Sequence, residues 1–281
     1  MNPYTLPDHE LEALLHDDAP CGDATTHALG IGQQTGQMHL RARQAMTLCG
    51  VEEARRMGKL RGLRVLGPSR HSGEALAAGE EILSFSGPAA TLHQVWKTAQ
   101  TWMEYLSGIA TCTRAIVHAA QVVDPLASVV CTRKNFPGTK AAAIKAVLCA
   151  GASPHRLNLS ETLLVFAEHR AFLGDEAPAQ TLARLRQTWP ERPAIVEVGS
   201  EAEALHWAAA GADIVQLEKL PLASVERLSQ ALIGSHCRLA VAGGINAQNA
   251  GDYVAAGARI LVTSAPYFAG PKDVAVSISA T

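Results

Sequence analysis

The stretch "CTRKNFPGTK", residues 131–140, closes the apolar run "ASVV" with Arg133 and Lys134, turns at Pro137-Gly138 and adds a third cation, Lys140. Charges at the end of a hydrophobic strand must be solvated, paired or used. An Arg forks onto carboxylate or phosphate, and a Lys supplies a compact positive charge. A second cationic pair, His155-Arg156, precedes "LNLSETLLVF". Alone, either group reads equally well as an ordinary solvated loop, and so does Arg114 in "SGIATCTR". Two acids interrupt apolar runs, Glu197 in "IVEVG" and Glu218 in "IVQLE". An unpaired carboxylate there is costly, so each needs a cation, Mg²⁺ or sugar hydroxyls as a partner. "LAVAGG" ends on Ala242, Gly243 and Gly244, and Ser264 follows "ILVT". Small residues between a strand and a helix let backbone N–H groups approach a phosphate. The spacing predicts that helix from about Asn246. Cations, two acids and a glycine turn together suit a small polyanionic substrate such as a phosphosugar.

The elements that must hold these residues are short Val- and Ile-rich runs: "ASVVCTRK", "TLLVFA", "PAIVEVG", "ADIVQLE", "RLAVAGG" and "ARILVTS". Helical stretches such as "TKAAAIKAVLCAG", "SEAEALHWAAAG", "PLASVERLSQALIG" and "NAQNAGDYVAAG" separate many of them. Strands buried on both faces and alternating with helices imply a parallel sheet. The echo of "AAGADI" in "AAGARI" marks repeated αβ turns with a glycine closing each helix. Such repetition favours a βα barrel, whose functional groups project from the C-terminal strand ends. Six good strands fall short of the roughly eight in a full barrel, which leaves an open doubly wound sheet as the alternative. The first hundred residues differ. "GQMHLRARQAMTLCG", "LRVLG" and "EILSFSG" read as strands and "VEEARRMGKL" as a helix. "PAATLHQVWKTAQTWMEYL" follows the helix period, Ser107-Gly108 interrupts it, and "IATCTRAIVHAAQVV" resumes a helix where one domain hands over to the next.

Composition removes other classes. Apolar residues make up 48% of the 281, enough for a sizeable core. The net charge is −2 and no long basic run occurs, so a nucleic-acid surface has no support. The six cysteines form no C-x-x-C, and no H-E-x-x-H occurs, so reduced and mostly buried thiols are expected. The N-terminal stretch is acidic without an apolar core, and no run approaches the ~18 apolar residues of a membrane span. The expected setting is cytoplasmic.

In this order along the chain, "LLHDDAPCGDATT", "SGIATCTR", "CTRKNFPGTK", "PHRLNLSETLLVF", "IVEVGS", "IVQLEK" and "AVAGGI" resemble the quinolinate phosphoribosyltransferase family over nearly the whole length. "RKNFPGTK" and "HRLNLSETLLVF" are most similar to its branch of pyrophosphorylases linked to molybdenum transport. The resemblance implies an α/β protein. An N-terminal α/β sandwich would take residues 1–110, an incomplete, TIM-like α/β barrel residues 111–270, and a tail, 271–281, would return toward the N-terminal domain. It implies a homodimer with sites at the interface. The implied reaction moves ribose 5-phosphate from phosphoribosyl pyrophosphate to a ring nitrogen, with pyrophosphate leaving. Arg133, Lys134, His155 and Arg156 would line the anion pocket, Arg114 would enter from the partner subunit, and Lys140 would meet pyrophosphate. Glu197 and Glu218 would stand near the ribose and Mg²⁺, and Ala242, Gly243, Gly244 and Ser264 at the 5′-phosphate. One position departs from the family. Phe166 stands where the quinolinate enzymes carry a Lys, and a dicarboxylate would lose a charged hydrogen bond of about 1.5–3 kcal/mol there. A flatter or less charged acceptor fits better. Two rival readings are a non-catalytic binding protein for molybdate or a phosphometabolite, and a Schiff-base lyase. The lyase would need Lys219 or Lys134, neither of which lies inside an apolar run.

Overall fold

A computed structural model describes residues 4–281. The chain divides into two compact units. One contains the described residues up to Arg114 together with Asn135–Gly151 and Pro266–Thr281; the other contains Ala115–Lys134 and Ala152–Ala265.

The first unit is built on antiparallel strands. They are β1 (Thr35–Ala42), β2 (Met46–Thr47), β3 (Arg64–Leu66), β4 (Ala75–Leu76) and β5 (Glu81–Pro88). Strand β1 alternates exposed and buried residues, so Met38, Leu40 and Ala42 enter the core while Gln37, His39 and Arg41 stay on the other face. The last strand of the chain, Val274–Ala280, pairs antiparallel with β1, from Ala42↔Val274 to Gly36↔Ala280. Helix Val51–Leu60 packs Met57 and Ala54 into the same apolar cluster as Phe85, Leu83 and Leu11.

The interruption expected at Ser107-Gly108 does not occur. One helix runs from Ala89 to Gln121. Both residues are sites of close approach. The Ser107 hydroxyl is buried and accepts from the Cys49 N–H at 3.0 Å. A Cβ on Gly108 would lie 2.5 Å from the Gly270 carbonyl oxygen. The dipeptide admits a neighbouring backbone and breaks nothing.

A buried ion cluster also lies in this unit. Lys145, on helix Lys140–Cys149, is 0% exposed. Its Nζ donates to Glu53 at 2.6 and 2.7 Å and to Glu52 at 2.9 Å. Burial works against ionised Glu52, but bonds from the Ser72 hydroxyl and N–H, and then Lys145, outweigh it and hold the carboxyl down at about 2. Burial likewise works against the Lys145 cation, and Glu53 and Glu52 outweigh it, so its pKa is raised.

The second unit holds a curled seven-stranded parallel sheet. Its strands are β6 (Ser128–Cys131), β7 (Ser153–Pro154), β8 (Leu163–Val165), β9 (Ala194–Val198), β10 (Ile214–Glu218), β11 (Arg238–Ala242) and β12 (Ile260–Thr263); the terminal strand of the first unit is then β13. The order is β7-β6-β12-β11-β10-β9-β8, with every pairing parallel. No ladder joins β7 to β8, so the barrel is incomplete. Register and pleat sort the side chains. Val215 and Leu217 are 0% exposed beneath the helical layer, whereas Ile195, Ile214, Ala240 and Val262 share one interior cluster with Leu164. Among the described residues no helix is long and apolar enough to cross a membrane.

Removing one member of the ion cluster leaves an uncompensated buried charge, so Lys145→Ala should lose about 3–5 kcal/mol of stability in denaturant unfolding at neutral pH. Glu52 sits below the usual 4.5 when folded. Its contribution is therefore complete above pH 4.5 and disappears as pH falls toward 2. The acid branch of the stability profile should flatten in Lys145→Ala; an unchanged branch would refute the assignment.

Candidate functional site

A cavity of about 810 Å³ opens at the C-terminal ends of the parallel strands. Each strand contributes residues at or just beyond its end. Strand β6 delivers Thr132, Arg133 and Lys134, and β7 delivers His155 and Arg156. Phe166 and Glu168 come directly after β8. Glu197 is the penultimate residue of β9 and Glu218 the last of β10. Gly243 and Gly244 come after β11, and Ser264 after β12.

The charges are segregated along the sheet. Cations gather on β6 and β7 and acids on β8, β9 and β10, with the small-residue turns of β11 and β12 between them. Arg156 is 7% exposed. No carboxylate lies within ion-pairing distance of it among the described residues. Burial and then Arg133 both push its pKa down. Burial, then Arg156, also lower the pKa of His155, against a smaller opposing influence of the Gln216 amide. The His155 N–H is tied to the Cys131 carbonyl at 2.8 Å, which fixes the backbone between the two basic side chains. The Arg156 guanidinium stands 5.7 Å from the Phe166 ring centre. Phe166 itself packs on the interior cluster of Leu164, Ile195 and Val262.

On the acid side, parallel pairing sets Gln216 beside Glu197, and the Gln216 Nε2 donates to Glu197 Oε2 at 2.7 Å. Burial raises the Glu197 pKa, Gln216 partly offsets this, and repulsion from Glu218 and Glu168 adds to the rise. Arg170 supports the strand through a bond to the Glu197 carbonyl at 2.6 Å. Three acids repelling one another around a cavity are a fitting environment for a cation. They do not form a preformed cage: among the described residues no group of three His, Cys, Asp or Glu side chains is arranged to hold a metal. Mg²⁺ is commonly held by one or two protein carboxylates together with substrate phosphates and water, and Glu197 and Glu218 are carboxylates that line this cavity.

The glycine turn is held by its neighbours. Gly243 and Gly244 have φ of 91° and 79°, a region that glycine enters freely. Thr263, 3% exposed, donates to the Ile245 carbonyl at 2.7 Å. Asn246 and Asn249 donate to the Gly244 carbonyl at 3.1 and 3.0 Å. Among the described residues no turn or loop carbonyl takes the N–H of Gly243 or Gly244. The helix expected from Asn246 begins at Ala250 and has six residues, because the asparagine side chains organise the intervening turns. Any anion here meets backbone N–H groups of a loop. Lys219, at φ 56°, is the one non-glycine in the left-handed region among the described residues. That conformation costs about 1–3 kcal/mol. It lays the side chain along Gly243, where a Cβ would collide with Lys219 Cγ, and leaves Nζ 3.3 Å from Glu218.

Of the residues singled out from sequence, Arg133, Lys134, His155, Arg156, Glu197, Glu218, Ala242, Gly243, Gly244 and Ser264 line this one cavity. Arg114 and Lys140 belong to the first unit and do not line it. Arg114 is exposed and donates to the Cys149 carbonyl at 3.2 Å; Lys140 is the exposed first residue of its helix. Sequence reasoning passed over Gln216, Glu168, Thr263 and Asn246. Gln216 carried a readable signal: a polar residue inside an apolar strand, two positions before Glu218 and so on the same face.

Residues 23–107 match the model of the quinolinate phosphoribosyl transferase N-terminal domain, and residues 109–277 that of the C-terminal domain. A protein of Rhodobacter capsulatus named as pyrophosphorylase ModD is 44% identical over 249 residues, 88% of this chain and 95% of its own. The Pasteurella multocida protein of the same name is 38% identical over 276 residues, 96% of this chain and 97% of its own. The crystal structure of NadC from Streptococcus pyogenes is similar at a TM-score of 0.88 and 26% identity, covering 98% of this chain and 96% of that one.

Replacing a buried, unpaired cation with an apolar side chain of similar reach relieves a desolvation cost. Arg156→Met should therefore raise the thermal midpoint of the free protein by about 2–4 °C in a calorimetric scan. A lower midpoint would mean that the guanidinium already has a partner within the protein.

Proposed function

The chain belongs to the quinolinate phosphoribosyl transferase family, and on that premise we propose that it transfers ribose 5-phosphate from phosphoribosyl pyrophosphate to a small, nitrogenous, anionic aromatic acceptor. The observation that carries this reading is the buried Arg156 without an acid, facing a cavity whose acids stand at the far end of the strand order. A ligand that is anionic at one end and develops positive charge in its middle satisfies both halves.

The sugar phosphate takes the N–H groups at Gly243-Gly244, beside Ser264. The acceptor's anionic group is held by Arg156 and Arg133, with His155 orienting the ring and Phe166 giving it an apolar face. Orientation of the ring nitrogen toward the anomeric carbon is the main service of these side chains. As the glycosidic bond to pyrophosphate lengthens, positive charge grows on the sugar, and Glu197 and Glu218 stabilise it and hold the ribose hydroxyls. The same two acids would hold Mg²⁺, which supplies charge neutralisation for the leaving pyrophosphate. By the family resemblance, a homodimer would bring Arg114 in from the partner subunit, and Lys140 would meet pyrophosphate. By resemblance, the setting of the reaction is molybdenum transport.

The test is incubation with Mg²⁺, phosphoribosyl pyrophosphate and a panel of nitrogenous aromatic acids, with release of pyrophosphate as the readout. Glu218→Ala should lower turnover at least about 100-fold; full turnover would remove its role. Glu197 serves as the anion, and its pKa is raised above 4.5. Activity should thus fall off on the acid side earlier than for an ordinary carboxylate. Tight binding of anions with no pyrophosphate released from any acceptor would favour a non-catalytic binding protein.

A further inference from the structure

Two of the cysteines, a hundred positions apart in sequence, meet in the first unit. Cys49 is buried just before the helix Val51–Leu60, and Cys149 is the half-buried last residue of the helix Lys140–Cys149. Both pack in one apolar cluster with Leu106, Ala142 and Ala146. The backbone holds them there. The Cys49 N–H donates to the Ser107 hydroxyl at 3.0 Å. Gly73 donates its N–H to the Leu48 carbonyl at 2.8 Å, and a Cβ on Gly73 would lie 3.7 Å from Cys149 Cβ. The residue before Cys49 and Cys149 itself therefore press on the same glycine. The two thiols hydrogen-bond each other. Cys149 Sγ donates to the Ala146 carbonyl at 3.3 Å, which leaves Cys49 as the donor within the pair.

The two sulfurs are not equivalent. The hydrogen bond from Cys49 favours a thiolate on Cys149. Lys145, one helical turn earlier on the same face, adds to this, and so does Arg114. Burial and Glu52 oppose them, yet the Cys149 thiol ends below the usual 9. The same hydrogen bond, and then burial, push the Cys49 thiol well up. A thiolate-prone sulfur with access to solvent reacts first with an oxidant, and a thiol beside it can capture the product. Exposure alone would instead favour Cys21.

We infer that Cys149 and Cys49 are a modification site for hydrogen peroxide, Cys149 reacting first and Cys49 closing a disulfide within the chain. The Cys149 sulfur attacks one peroxide oxygen. The O–O bond breaks, an S–O bond forms, and the first water leaves with the Cys149 proton. The Cys49 sulfur then attacks that of Cys149. The S–O bond breaks, the S–S bond forms, and the second water leaves with the Cys49 proton. Two thiols lose two electrons and the peroxide takes both. The cross-link joins the turn before the helix Val51–Leu60 to the residue whose carbonyl Arg114 holds at 3.2 Å.

The experiment treats the reduced, folded full chain with a small excess of hydrogen peroxide, blocks the remaining thiols with iodoacetamide and maps unreduced tryptic peptides by mass spectrometry. Peptides 44–55 and 146–156 should appear joined, and two of the six thiols should be lost. Dithiothreitol should restore both. Absence of the joined peptide overturns the inference, and this comparison needs no variant. With dimedone present, Cys49→Ser should trap a sulfenic acid on Cys149 at least about tenfold faster than on Cys21. In Cys149→Ser the trapping on Cys49 should be at least about tenfold slower than that. Alkylation of Cys149 in the unoxidised protein should reach half its plateau rate below pH 9. Faster trapping on Cys21 would make exposure alone the cause and overturn the site. Trapping on Cys49 ahead of Cys149 would overturn the order of attack. A disulfide joining two chains, seen as a doubled mass on a non-reducing gel, would overturn the closure within one chain.

Discussion

A cation with almost no access to solvent and no acid to meet it sets the terms for the parallel-strand unit. Arg156 is 7% exposed, Arg133 repels its charge, and the Phe166 ring centre lies 5.7 Å away. Desolvating a guanidinium is expensive unless it is paired. The acids of the cavity, Glu168, Glu197 and Glu218, belong to the β8, β9 and β10 ends, and none of them lies within ion-pairing distance of it. That separation keeps the pocket polarised, with an anion-seeking end, a cation-seeking end and backbone N–H groups of the glycine turn between them. Collapse of the two ends into internal ion pairs would quench the chemistry.

The other unit handles the same problem in the opposite way. Lys145 is fully buried, but Glu53 and Glu52 take its Nζ at hydrogen-bond distance, and Ser72 satisfies Glu52 in turn through its N–H and its hydroxyl. Every charge there has its partner inside the protein, so nothing is left for a ligand. A buried cation is thus no marker of function by itself. The difference lies in whether the fold supplies the counter-charge.

Much of this was legible in the chain. The Val- and Ile-rich runs declare a parallel sheet, and the rule that barrel function sits at C-terminal strand ends brings Arg133, Glu197, Glu218 and Gly243 together from the sequence alone, whereas Arg156 read only as a cation preceding a run, since the two-residue β7 before it leaves no apolar signature. Helix Val51–Leu60 coincides with "VEEARRMGKL" because its apolar residues keep the helix period. What escaped was set by contacts distant in sequence. Gly108 looks like a helix breaker until Gly270 is seen against it. Asn246 looks like a helix start until its side chain is found bonding the Gly244 carbonyl and the Gln248 N–H. Gln216 carried its signal in plain alternation, yet its meaning depends on Glu197, nineteen positions away and adjacent only through strand pairing.

The gap between β7 and β8 has a further consequence. Elsewhere around the sheet, main-chain bonds fix the distance from one strand to the next. At this seam the bore is spanned by side chains, Arg156 on one lip and Phe166 on the other. Exchanging Phe166 for a bulkier, smaller or basic residue would reshape the entrance without breaking a single ladder bond. A lineage can therefore alter this entrance by drift at one position, while the scaffold that folds around it stays as it was.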